Sequence, residues 1–174
     1  PTESPPIGSL SVISSLKKSG FKNIHFYDID ALRPSYEEAL REICKRSPDV
    51  LGISAVVSTA YGYVKKLSKD VKRLLPDITI ILGGNLGASA EILLRRAGID
   101  FVVTGEGEIA TVKFLTRYSQ TDKKGDFGDV PGLMYLDGEK LINTGYEKPV
   151  PREEVYDIGW NILDSEASAI DNFF

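Results

Sequence analysis

Apolar residues along the chain fall into two alternating patterns, one at helical spacing and one in short continuous runs. Residues 7–18 carry Ile7, Leu10, Ile13 and Leu16 three apart, and Gly20 is placed to cap the helix they predict. Residues 24–29 are aromatic and β-branched, which predicts a strand. Pro34 and Ser35 then open a helix. Ser35 and Glu38 have the spacing of a capping box, Ala39, Leu40, Ile43 and Cys44 form the buried stripe, and Ser47-Pro48 ends it. Residues 50–57 are almost continuously apolar, as suits a strand covered on both faces. Val64, Leu67, Val71 and Leu74 mark a longer helix stopped at Pro76. Residues 78–82 predict the next buried strand, which runs into Gly83-Gly84. Ser89 can cap a helix to about Ala97, closed by Gly98. Residues 100–104 predict a further strand and residues 109–118 a further helix, with Gly105-Glu106-Gly107-Glu108 between them.

The pattern changes after Tyr118. Residues 119–129 are polar and contain glycine, as in a surface loop. Residues 133–136 and 140–144 flank Asp137-Gly138, a strong hairpin signal, and Pro149 and Pro151 begin an extended tail. Strands alternating with helices predict an α/β fold. The expected form is a doubly wound, Rossmann- or flavodoxin-like, mainly parallel sheet of four or five strands with helices on both faces, followed by a small β-hairpin.

Composition narrows the function classes. The chain has 174 residues, 42% hydrophobic and 26% charged, which is enough for one globular domain with an appendage. Its net charge is −4 and its cations are scattered among acids, so no nucleic-acid partner is expected. No apolar run reaches the roughly 18 residues that span a membrane, and no signal peptide is visible, so a cytoplasmic location is expected. One cysteine and one histidine make neither a disulfide nor a zinc or iron–sulfur site. Cys44 lies on a helix stripe and reads as packing. His25 lies in a strand pattern and reads as a packed or edge residue; a Ser-His-Asp or Cys-His constellation lacks the material.

Ligands of open α/β sheets bind beyond the carboxyl ends of the strands. Four such ends are expected, at residues 28–32, 54–59, 83–86 and 105–108. Gly83 and Gly84 would let a ligand approach the backbone, or only make a tight turn. Ser54, Ser58 and Thr59 offer hydroxyls to a ligand or to the next helix as caps. Asp28 and Asp30 are either ligand contacts or solvated turn acids. Residues 105–110 match G-x-G-x-x-A, but two glutamates would repel a pyrophosphate, and the dinucleotide fingerprint belongs to the first βα turn.

Taken in order, PPIGSLSVISSLKKSGF, IHFYDID, SPDVLGISAVVST and ITIILGGNLGASAEILLRRAGIDFVVTGEGE resemble the cobalamin-binding domain at the front of many radical S-adenosylmethionine (radical SAM) enzymes. VPGLMYLDGEKLINTG resembles the family's hairpin, and GWNILDS the segment before its radical SAM barrel. The resemblance implies a cobalamin-binding-like domain over residues 1–118, a hairpin appendage over 119–148 and a linker over 149–174. It implies a cobalamin nucleotide tail against Ser54, Ser58, Gly83 and Gly84, with Thr59, Asn85, Gly105 and Glu106 completing the cofactor site. A bulky side chain at Gly84 would then fill the space the tail needs. The parent enzyme would use S-adenosylmethionine and a 4Fe–4S cluster held by a downstream C-x-x-x-C-x-x-C, to methylate an unactivated carbon or close a ring. This chain would hold the cofactor without being catalytic itself.

Two departures carry consequences. The D-x-H-x-x-G segment that supplies a cobalt-ligating histidine is absent, so cobalt is expected without a protein imidazole. The family's first strand is also missing, because residues 1–6, PTESPP, cannot form it. The sheet must then pair its neighbours directly or stay open, and a chain that opens on proline is expected to be trimmed from a longer one. Two other readings stay open. One is a flavodoxin-like interaction or regulatory module that binds no cofactor, and the other a small nicotinamide enzyme using the GEGE turn.

Overall fold

Side chains alternate across a strand, so a strand apolar at every position must be covered twice. The computed structural model describes residues 5–56, 58–121 and 125–151, with residues 153, 158, 160 and 162 beyond them. It shows this double covering at β2 (Thr79–Gly83), where four consecutive residues are buried. Ile80 and Leu82 face one side, under α4 (Tyr61–Leu74) and α5 (Ala90–Arg96), with Val64, Leu67, Val71 and Leu93. Ile81 faces the other, under α6 (Gly107–Gln120), with Phe114 and Tyr118.

β2 pairs in parallel with β1 (Val50–Ser54) on one side and β3 (Phe101–Val103) on the other. β4 (Leu133–Asp137) then pairs antiparallel with β3, and β5 (Lys140–Asn143) antiparallel with β4, giving the order β1-β2-β3-β4-β5. Gly138 and Glu139 make the hairpin turn between the paired Asp137 and Lys140, one residue on from the expected Asp137-Gly138, with Gly138 at φ 57°. At the amino end, Asp100 accepts the Ile80 N–H (2.7 Å) and a bond from Lys72 Nζ, which also donates to the Ile78 carbonyl. That ion pair fixes where β3 starts against β2.

α1 (Ile7–Lys18) packs along α6, and Gly20 follows its end at φ 93°, as its position predicts. α3 (Tyr36–Arg46) has the full capping box between Ser35 and Glu38 and stops at Ser47 in the left-handed region. Cys44 is half-buried, and burial pushes its thiol pKa up, in keeping with packing.

Four expectations need correction. Residues 24–29 form no strand. Tyr27 makes an isolated bridge, and Ile24 and Phe26 instead pack on Leu10 and Ile13 of α1. Strand propensity is realised only beside a pairing partner, and no neighbouring ladder takes this segment up. Asp28 is buried and accepts the N–H groups of Asp30 and Ala31, so it caps the short α2 (Ile29–Leu32) and is not a solvated acid. Ser89 stands at the start of α5 but makes no side-chain cap, because a 3-10 turn (Asn85–Ser89) already leads into the helix. The run expected as a strand to Val57 ends at Ser54, and Val57 lies outside the described residues, as do most of those after Pro151.

After β5 the chain turns back as a strap across the β3–α6 junction. Thr144 Oγ1 accepts the Leu133 N–H and donates to the Val130 carbonyl. Glu147, only 8% exposed, pairs with Lys113 of α6 and accepts the Lys148 N–H. The Lys113 hydrogen bond, followed by that N–H, holds the Glu147 carboxyl below its ordinary range.

Two outcomes follow from this packing. Phe114 is fully buried among the rings of Phe101, Tyr118 and Phe127, so Phe114→Ala should cost about 3–5 kcal/mol in denaturant unfolding. A carboxyl depressed in the folded state stabilises above its unfolded value, about 4.3, and loses that contribution as pH falls through the folded one. The protection of residues 145–150 against hydrogen exchange, relative to the intrinsic rate at each pH, should therefore fall below about pH 4. Glu147→Gln should remove this pH dependence; identical profiles in variant and parent would show that the ion pair does not hold the strap.

Candidate functional site at the carboxyl ends of the parallel strands

Parallel pairing brings the carboxyl ends of β1, β2 and β3 to one rim. Ser54 is the register partner of Gly83, and Leu82 that of Val102. Neighbouring strands stand about 4.8 Å apart, so the three ends form a row roughly 10 Å long.

The first two turns of that row are joined by backbone. The Ala55 N–H donates to the Gly83 carbonyl (3.1 Å), and the Leu86 N–H donates to the Ala55 carbonyl (3.0 Å). The short turn Ser58–Ala60 then packs against the turn Asn85–Ser89. Ser54, Ser58, Thr59, Gly83, Gly84 and Asn85 are thereby brought to one place. Neither Ser58 nor Thr59 caps α4, whose N-cap position is Ala60 without a side-chain bond.

The two glycines differ. Gly84 has φ 85°, and a Cβ there would lie 2.6 Å from the Ala55 carbonyl oxygen. Its missing side chain makes room for the crossing backbone, not for a ligand, so the reading of Gly84 as open space needs correction. A Cβ at Gly83 would meet nothing within 4 Å, and Ser54 beside it is exposed. The open floor of the rim is therefore Gly83 with Ser54.

Gly105 and Glu106 stand at the end of β3, along the same rim. Gly105 has φ 79°. The Glu106 carboxylate accepts the Val150 N–H (2.7 Å), and Glu108 accepts a bond from Ser11 Oγ of α1 (2.7 Å). Both glutamates of the GEGE turn thus tie other segments to it, Glu106 the strap and Glu108 the first helix. A Cβ on Gly107 would come within 3.1 Å of Val12, so this glycine serves the close approach of α1 to α6 and leaves no phosphate cradle.

The strap brings a residue to the rim that sequence reasoning missed. Tyr146 is 81% exposed, and its ring lies 3.4 Å from where a Gly105 Cβ would be. The available signal was an aromatic directly after Gly145, just past the hairpin. Val56, which follows β1, and Tyr63, in the first turn of α4, are also exposed apolar groups at this end. His25 is elsewhere: it is exposed, and its Nδ1 lies 2.8 Å from Arg46 Nη1, in the last turn of α3. That turn leads into the start of β1, at the opposite end of the sheet from Ser54. Among the described residues no group of three His, Cys, Asp or Glu side chains is arranged to hold a metal ion, and no helix is long and apolar enough to cross a membrane.

The chain is similar to known proteins in sequence and in fold. The chain is 28% identical over 163 residues to the anaerobic magnesium-protoporphyrin IX monomethyl ester cyclase of Synechocystis sp., covering 92% of this chain and 32% of that protein. Against the cyclase of the same name from Cereibacter sphaeroides it is 25% identical over 162 residues, covering 92% and 26%. The chain thus spans roughly a quarter to a third of the curated relatives it matches. The radical S-adenosylmethionine methyltransferase TsrM from Kitasatospora setae, solved with cobalamin and an iron–sulfur cluster, superposes with a TM-score of 0.70 at 21% identity, over 87% of this chain and 28% of that one. The cobalamin-dependent radical enzyme OxsB, solved with aqua-cobalamin and S-adenosylmethionine, gives 0.70 at 13% identity, over 92% and 23%. At these identities the structural likeness is one of fold. The family model described as the B12 binding domain matches residues 1–115, and this chain belongs to that family.

Proposed function

We propose that this chain holds cobalamin for a radical SAM reaction carried out by a larger protein of which it is one domain. The observation that carries the reading is the open floor at Ser54 and Gly83, set between two turns that are themselves closed by backbone. A ligand tail entering there meets small residues and hydroxyls, with no side chain to displace. Ser54, Ser58, Thr59 and Asn85 supply the polar contacts of the floor. Gly84 keeps the Ala55 carbonyl in place beneath it, and Gly105 with Glu106 forms the third turn of the rim.

When bound, cobalamin supplies a cobalt centre that can carry and pass on a methyl group. The chain's own residues bind and orient it, and Val56 and Tyr63 give the rim apolar surface for a large ligand or a following domain to cover. We assign no histidine to cobalt, because the only histidine is paired with Arg46 at the far end of the sheet. S-adenosylmethionine and an iron–sulfur cluster would be held by the radical SAM domain of the parent protein, since Cys44 alone cannot supply the thiolates. Relatives named as a cyclase and as a methyltransferase give ring closure and methyl transfer as the two reaction classes for that parent.

Titration with hydroxocobalamin, followed by visible absorbance, tests the site. The parent chain should bind. Gly83→Leu should weaken binding at least tenfold with little change in melting temperature. Gly84→Ala should instead destabilise the fold, by on the order of 1–3 kcal/mol, through the strained φ and the Ala55 contact. Equal affinities for the parent chain and Gly83→Leu would remove Gly83 from the site. His25→Ala should leave the spectrum of the bound cofactor unaltered; a shift in the cobalt bands would put the imidazole on the metal.

A further inference from the structure

Tyr146 is the most exposed of the large apolar side chains among the described residues, yet the backbone carrying it is held on both sides. Ahead of it, Thr104 Oγ1 donates to the Gly145 carbonyl (3.3 Å). Behind it, Glu147 pairs with Lys113 and the Val150 N–H reaches Glu106. All three anchors belong to the end of β3 or to α6, so the backbone that carries the ring is held against the rim. The ring stands over Gly105, where a Cβ would meet it at 3.4 Å, an ordinary van der Waals contact. The strap thus costs the chain conformational freedom to present an aromatic face that nothing described within the chain covers. Along the row of strand ends, Ser54 and Gly83 form a floor without side-chain bulk, and Tyr146 rises beside the last position.

We infer that Tyr146 is a cofactor-binding residue, forming the side wall of the site and stacking its ring against the nucleotide base of bound cobalamin. This rests on the cobalamin reading above and extends it to the strap, which serves to hold the wall upright. A planar conjugated base is the partner chemistry that an exposed phenol ring on an anchored backbone fits best, because offset stacking then costs little further chain freedom. Glu106 acts as a positioning residue through Val150.

The test compares hydroxocobalamin with dicyanocobinamide, which lacks the nucleotide, on the parent chain, Tyr146→Ala and Tyr146→Phe, by absorbance titration, with melting temperature as a check on folding. Tyr146→Ala should bind hydroxocobalamin about tenfold more weakly at an unchanged melting temperature. Tyr146→Phe should bind like the parent, and the cobinamide affinity should be the same in all three. Unchanged hydroxocobalamin affinity in Tyr146→Ala would overturn the inference while leaving the cobalamin reading intact. An equal loss for both ligands would overturn the assignment to the nucleotide base. Failure of the parent chain to bind hydroxocobalamin would overturn the cobalamin reading and this inference with it.

Discussion

Parallel pairing of β1, β2 and β3 is the constraint on which the rest depends. Parallel strands must all end on the same side, so their turns converge whatever residues those turns contain. Burial enforces the arrangement. β2 sends Ile80 and Leu82 to the α4–α5 face and Ile81 to the α6 face, and slipping it by one residue would exchange the two sets. Asp100 adds a polar lock, taking the Ile80 N–H and Lys72 together at the amino end. The rim is therefore a by-product of core packing, and its chemistry is free to be set by the residues just beyond it.

Those residues divide into ones that build the rim and ones that face out of it. Gly84, Ala55 and Leu86 close the joint between the first two turns, and Glu108 and Gly107 dock α1 on α6. Gly83 and Ser54 remain open, and Tyr146 is brought in from the far end of the described chain. The division matters for interpreting substitutions. A change at Gly84 disturbs a backbone crossing, whereas one at Gly83 enters empty space.

Much of this was legible in the sequence, wherever the signal was local. The capping box at Ser35 and Glu38, the glycine after α1, the hairpin turn at Gly138 and the doubly buried run in β2 are each specified by residues within one element. The convergence of Ser54, Ser58 and Gly83 followed from strand order alone. What was not legible depended on partners remote in the chain. Residues 24–29 have strand composition, but a strand needs a neighbour, and the segment packs on α1 instead. Asp28 is the exception, missed for a local reason: it caps α2, a single turn too short to show a helical period in the sequence. The two glycines of Gly83-Gly84 are indistinguishable in sequence; only the Ala55 carbonyl, some 30 residues away, separates their roles. The strap was invisible for the same reason, since Glu106 meets Val150 across 44 positions.

The central claim is that one rim, formed by three strand ends and the strap, receives cobalamin. Hydrogen exchange of the chain with and without hydroxocobalamin tests it most directly, because it reports every segment at once without altering a residue. Protection should appear in residues 54–60, 83–89, 104–107 and 145–150, and not around His25 or the carboxyl ends of α4 and α5. Protection confined to those other segments, or none at saturating hydroxocobalamin, would contradict the account.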